Sequence, residues 1–132
     1  MAPRSEARNR RVPRVLLVED DEWLRSTIVD MLAERAYAVR ALPLAEQGLA
    51  LFSEPRPDII LLDLGMPPGE MTGTEFLHRL RENRNWMNVP VIIVSGVGDV
   101  LNPDLVAAMR VSAVLQKPFD AELLFQTIAA VI

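Results

Sequence analysis

Four short runs of branched apolar residues constrain this chain more than anything else: Val15 to Val18, Ile59 to Leu62, Val91 to Val94 and Val111 to Leu115. Each is too short for a buried helix, and the apolarity is continuous rather than alternating. That pattern suits strands covered on both faces, the condition of a parallel sheet. A weaker strand fits Tyr37 to Leu42. Helical spacing fills the gaps. Glu22 to Ala36 gathers Leu24, Ile28, Met31 and Leu32 on one side, and residues 44–52 form a short helix ended before Pro55. Thr74 to Glu82 presents Phe76, Leu77 and Leu80 on one face, with Thr72 or Thr74 as its cap. Pro103 to Met109 starts near Asn102 or Asp104, and a last helix begins near Asp120 and runs to the C-terminus. Strand and helix thus alternate five times. Right-handed crossovers then give a doubly wound α/β fold, a five-stranded parallel sheet with five helices on both faces.

In such open sheets the working site lies at the carboxyl ends of the strands. After the first strand come Glu19, Asp20 and Asp21; the third ends at Asp63, the fourth at Ser95 and Gly96, the fifth at Lys117 and Pro118. Crowded carboxylates repel one another unless a hard divalent cation neutralises them, and an all-oxygen donor set suits Mg²⁺. An ammonium such as Lys117 and a hydroxyl such as Ser95 can contact phosphoryl oxygens. Gly96 lets its backbone N–H approach closely. Asp63, alone on the central strand, fits a nucleophile. Taken singly, each residue also has a structural reading: an Asp or Ser as helix cap or turn residue, the acidic run as a favourable charge at a helix start, the lysine as a solvated loop residue. Complementary groups on four separate strands argue for a shared site.

Composition narrows the setting. At 132 residues the chain is one domain with one sizeable core. It has no cysteine for disulfides or thiolate metal sites. No apolar run approaches the roughly 20 residues of a membrane span, and no signal-type segment opens the chain. These features lead to a cytoplasmic expectation with no membrane association. Charge is uneven: residues 1–14 hold five arginines against Glu6, a net +4, which leaves −8 for the rest of a chain whose total is −4. Residues 1–13 are read as a basic flexible arm and 14–132 as the domain. The only histidine, His78, falls on the polar side of its helix, and Trp86 lies in the polar stretch Asn83 to Asn88 with no evident role. Residues 123–132 carry no charge, which suggests a helix that packs on a partner, including a homodimer through that helix.

Over residues 14–132 the sequence resembles the receiver domains of two-component response regulators. The motifs are Val15-Leu16-Leu17-Val18-Glu19-Asp20-Asp21, Asp63-Leu64-Gly65-Met66-Pro67, Pro90 to Gly96, and Lys117-Pro118-Phe119. The resemblance implies a flavodoxin-like sheet in the order 2-1-3-4-5. It also implies a phosphoacceptor at Asp63 and Mg²⁺ held by Glu19, Asp20, Asp63 and the Gly65 carbonyl, with Glu19 acting through water. Ser95, Lys117 and the amides of Leu64 and Gly96 would contact the phosphoryl group. Such a domain is a switch that catalyses its own phosphorylation and dephosphorylation rather than a turnover enzyme. Its partners would be a histidine kinase or phosphotransfer protein and a downstream protein target. No DNA-binding motif is present, so direct DNA binding is not expected.

Three departures stand out. The loop after Asp63 is longer, with Pro67, Pro68 and a late Gly73. At the switch position that accompanies Ser95, the family's aromatic residue is replaced by Val114. Arg110 stands where a glycine commonly ends the fourth helix. These departures keep open an alternative, an atypical receiver acting mainly as a phosphorylation-independent docking module. A phosphatase of the haloacid dehalogenase class would need a second Asp where Gly65 stands. A flavin site would need a less acidic first loop.

Overall fold

The computed structural model describes residues 12–65, 71–96 and 101–132. Five strands, β1 (Arg14–Val18), β2 (Ala38–Leu42), β3 (Ile59–Asp63), β4 (Val91–Ser95) and β5 (Ala113–Gln116), form one sheet in the order β2-β1-β3-β4-β5. Every pairing is parallel, with Val18 opposite Leu62 and Asp63 opposite Val94. The five helices are α1 (Glu22–Glu34), α2 (Ala45–Leu49), α3 (Gly73–Glu82), α4 (Pro103–Ala108) and α5 (Ala121–Val131). A turn of 3₁₀ helix, Ala50–Ser53, extends α2. The doubly wound sheet and its strand order agree with the sequence reading.

Alternation along β1, β3 and β4 sends successive side chains into two cores. Leu16, Val18, Ile60, Leu62, Val91 and Ile93 pack with Leu51, Phe76, Leu77, Leu80 and Trp86 on one face. Val15, Leu17, Ile59, Leu61, Ile92 and Val94 pack with Ile28 and Leu32 of α1 and Leu124, Phe125 and Ile128 of α5 on the other. Close packing fixes α2 as well, because a Cβ on Gly48 would meet Phe76 Cε1 at 2.5 Å. The uncharged run of α5 is partly explained by burial of Leu124, Phe125 and Ile128, while Leu123 and Ile132 remain exposed.

Local chemistry sets the boundaries. Thr72, not Thr74, caps α3: its hydroxyl accepts from Glu75 N–H, and the Glu75 carboxylate accepts from the Thr72 N–H in return. Asn102 caps α4 and Asp120 caps α5. Helix α1 stops at Glu34, two residues earlier than its apolar spacing suggests. Its chain turns at Ala36 (φ 61), with Ala36 N–H bonded to Ala33 and Tyr37 N–H to Leu32. Strand β5 begins at Ala113, not Val111. Val111 packs into the core from the preceding turn, where its N–H closes α4 on the Val106 carbonyl. Trp86 corrects the sequence reading. It is 2% exposed, stacks obliquely on Phe52 at 5.0 Å, and donates its indole N–H to the Glu54 carbonyl. His78 is exposed, as expected. The basic arm over residues 1–13 falls almost wholly outside the described residues.

Candidate functional site

The carboxyl ends of β1, β3, β4 and β5 meet at one edge of the sheet. Asp63, 3% exposed, ends β3; its Oδ1 accepts from the Gly65 N–H at 2.7 Å and its Oδ2 lies 3.2 Å from Lys117 Nζ. Glu19, 1% exposed, follows β1 and places Oε1 3.0 Å from the same ammonium. That contact is a charge pair without hydrogen-bond alignment, so Glu19 Oε1 is a buried oxygen with no hydrogen-bond partner. Glu19 Oε2 accepts from the Asp21 N–H at 3.3 Å. Glu19, Asp20 and Asp63 each offer an oxygen, and these atoms lie within 4.8 Å of one another.

Charge does not balance there. Three carboxylates face one ammonium, and Lys117 is the only lysine in the chain. Burial, reinforced by Asp63 and opposed by Lys117, pushes the Glu19 carboxyl up to about 8. Burial alone would lower Lys117, but its close contact with the Glu19 carboxyl and the charge of Asp63 outweigh this and hold its pKa above the ordinary value. The pair therefore reads as a firmly cationic lysine beside a carboxyl group that ionises reluctantly. A hard divalent cation fits this donor set: oxygen ligands, surplus negative charge and one buried oxygen left without a donor.

The remaining sequence candidates gather around this centre. Ser95, 5% exposed, ends β4, and its carbonyl accepts from the Lys117 N–H at 2.7 Å. Leu64 and Gly65 continue directly from Asp63, with Gly65 exposed, and Gly96 follows Ser95. Val114 lies in β5 opposite Ile93 and is 43% exposed. Asp21 leaves the cluster: its carboxylate caps α1 by accepting from the Leu24 N–H at 2.8 Å. Much of the expected longer loop after Asp63, residues 66–70, lies outside the described residues. Two contributors were not foreseen. Arg25 donates to the Glu19 and Asp20 carbonyls at 3.0 and 3.4 Å and braces the acidic turn. Gly73 opens α3 against β3, where a Cβ would lie 2.9 Å from the Asp63 carbonyl oxygen. An arginine reaching main-chain carbonyls has no distinctive spacing. The glycine was legible only as a late glycine in the loop.

A five-stranded parallel sheet with buried acids and a lysine at its carboxyl edge defines a class of signalling domain. The chain belongs to the response regulator receiver domain family, whose pattern it matches over residues 15–129. It is 34% identical over 116 residues to the transcriptional regulatory protein FixJ of Rhizobium meliloti, covering 86% of this chain and 54% of that protein. It is 38% identical over 120 residues to the transcriptional regulatory protein CseB of Streptomyces avermitilis, covering 89% and 48%. In three dimensions it resembles the chemotaxis response regulator CheY4 of Vibrio cholerae, with a TM-score of 0.82, 26% identity, and coverage of 92% of this chain and 100% of that one. The chain spans about half the length of the curated relatives it matches. Among the described residues no helix is long and apolar enough to cross a membrane.

Proposed function

We propose that the domain accepts a phosphoryl group on Asp63 from a phosphohistidine of a histidine kinase or phosphotransfer protein, in a Mg²⁺-dependent reaction. The observation that carries this reading is the Asp63 carboxylate, held between the Gly65 N–H and Lys117 beside two further acids. A carboxylate oxygen of Asp63 attacks phosphorus, an O–P bond forms, and the P–N bond breaks with its electron pair leaving on the imidazole. Lys117 offsets charge on the phosphoryl oxygens, while Ser95 and the amides of Leu64 and Gly96 donate to them. Glu19, Asp20, Asp63 and the Gly65 carbonyl would hold Mg²⁺, which supplies charge neutralisation for the incoming phosphoryl group. The acyl phosphate then biases a surface read by a downstream protein target, with Ser95 and Val114 at the switch positions. A homodimer through α5 would cover Leu123 and Ile132, both nearly half exposed.

The competing docking-module reading draws on Val114, whose open position lacks the aromatic group of the family. Incubation with acetyl phosphate and Mg²⁺, followed by intact-protein mass spectrometry, separates the two. The wild type is expected to gain one phosphoryl group and Asp63→Asn none. Full labelling of the variant would remove Asp63 from its role, and an unlabelled wild type would favour the docking module.

A further inference from the structure

At the opposite edge, beneath the amino ends of β4 and β5, a cavity of about 210 Å³ is lined by Arg81, Arg110, Asn88 and Ser112 among apolar neighbours and by no carboxylate. Arg81, at the end of α3, donates to the carbonyls of Met109 (2.7 Å), Met87 (2.9 Å), Val89 (2.7 Å) and Arg110 (3.3 Å). Those contacts occupy four of its five N–H groups and brace the turn after α4. Among the described residues, Arg110 donates only to the Met87 carbonyl at 3.0 Å and the Asn88 Oδ1 at 3.4 Å. Three of its N–H groups, the Asn88 amide N–H₂ and the Ser112 hydroxyl stay available as donors around one concavity.

We propose that this cavity binds a phosphate-type oxyanion between the Arg81 and Arg110 guanidinium groups. Bracing alone does not account for Arg110. Its backbone is left-handed (φ 53) in a helix-ending turn, where Arg110 N–H bonds to Ala107 and Val111 N–H to Val106. A glycine would adopt that conformation free of the roughly 1 kcal/mol cost to a side-chain-bearing residue. The position instead carries a second cation beside the first. Burial, then the charge of Arg110, lowers the pKa of Arg81. A dianion relieves that repulsion and can be met by the N–H groups of the Arg110 fork, with the one remaining Arg81 N–H beside them. Contrast the arginines near β1, where Arg40 already pairs with Glu54 at 3.2 Å and Arg14 donates to the Arg56 carbonyl.

The test is ¹⁵N NMR titration of unphosphorylated, metal-free protein with inorganic phosphate, with chloride at equal ionic strength as control. Saturable shifts are expected at Asn88, Arg110 and Ser112, and not with chloride. Arg110→Gly suits the left-handed turn, so folding is retained while affinity is expected to fall at least tenfold. Arg110→Lys should lie between the two. Titration with ribose 5-phosphate separates sources: binding as tight as phosphate identifies a phosphomonoester ligand, and no binding identifies the free ion. No phosphodonor is used, so the outcome is independent of the role of Asp63. Shifts that match chloride, that centre on Ser95 and Lys117, or that persist in Arg110→Gly would overturn the proposal.

Discussion

At the carboxyl edge of the sheet, Glu19 and Asp63 share one ammonium beside a third acid, Asp20, whereas at the amino edge Arg14, Arg56 and Arg81 are each met by main-chain carbonyls. Carbonyl dipoles satisfy a cation locally without a second charge. The acids have fewer such options, since the Gly65 and Asp21 N–H groups serve one oxygen each and Glu19 Oε1 receives none. Main-chain carbonyls satisfy those three arginines, while the carboxyl edge keeps negative charge in surplus. A divalent cation would relieve that surplus, whereas a fold needing only stability would place neutral residues there.

If the two edges are separable, damage to one should spare the other. Trp86→Ala removes a buried ring and its bond to the Glu54 carbonyl, and is expected to cost about 3–5 kcal/mol in urea unfolding. Below its lowered melting point, labelling of Asp63 by acetyl phosphate should stay within a few-fold of wild type. A parallel collapse of labelling would show that the edges are coupled. Lys117→Met keeps the aliphatic stem and deletes the ammonium between Glu19 and Asp63. Its labelling rate is expected to drop on the order of 100-fold, the scale of losing one preorganised charge contact. A rate near wild type would mean that the ammonium only fills space.

A smaller effect concerns pH. Glu19 is raised in the folded protein from 4.5 to about 8, by burial first and then by Asp63. Between those values the folded state binds more protons than the unfolded state. Stability of the metal-free protein should therefore be fullest below about 4.5, as far as this group is concerned, and decline as pH rises toward 8. Melting temperatures at pH 5.5 and 8.5 in a chelating buffer should show the decline, flattened in Glu19→Gln. An equal decline in that variant would assign it to other groups.

Much of this contrast was legible in the sequence, for a physical reason. Strands buried on both faces must be apolar throughout, so β1, β3 and β4 announce themselves and their ends locate Glu19, Asp63 and Ser95. Edge strand β5 was misplaced because Val111 is apolar for the core beneath a turn, not for a strand. Trp86 was misjudged because its neighbours from Asn83 to Asn88 are polar, while its partners Phe52 and Glu54 stand more than thirty residues earlier. Spacing alone did not sort the consecutive acids, and only the family resemblance set Glu19 and Asp20 apart from Asp21: Asp20 joins the cluster and Asp21 caps a helix, a division set by local backbone direction. Arg25 and Arg81 act on carbonyls that every residue possesses, and no pattern of side chains announces such contacts.

The central claim is that the negative surplus at the carboxyl edge serves a divalent cation. Titration calorimetry with Mg²⁺ near pH 7, repeated in buffers of different ionisation enthalpy, tests it directly. One-site binding with net proton release is expected, because Mg²⁺ favours ionised Glu19, and Asp20→Ala should lose at least tenfold in affinity. Unchanged affinity in Asp20→Ala, or binding with no proton release, would contradict the account.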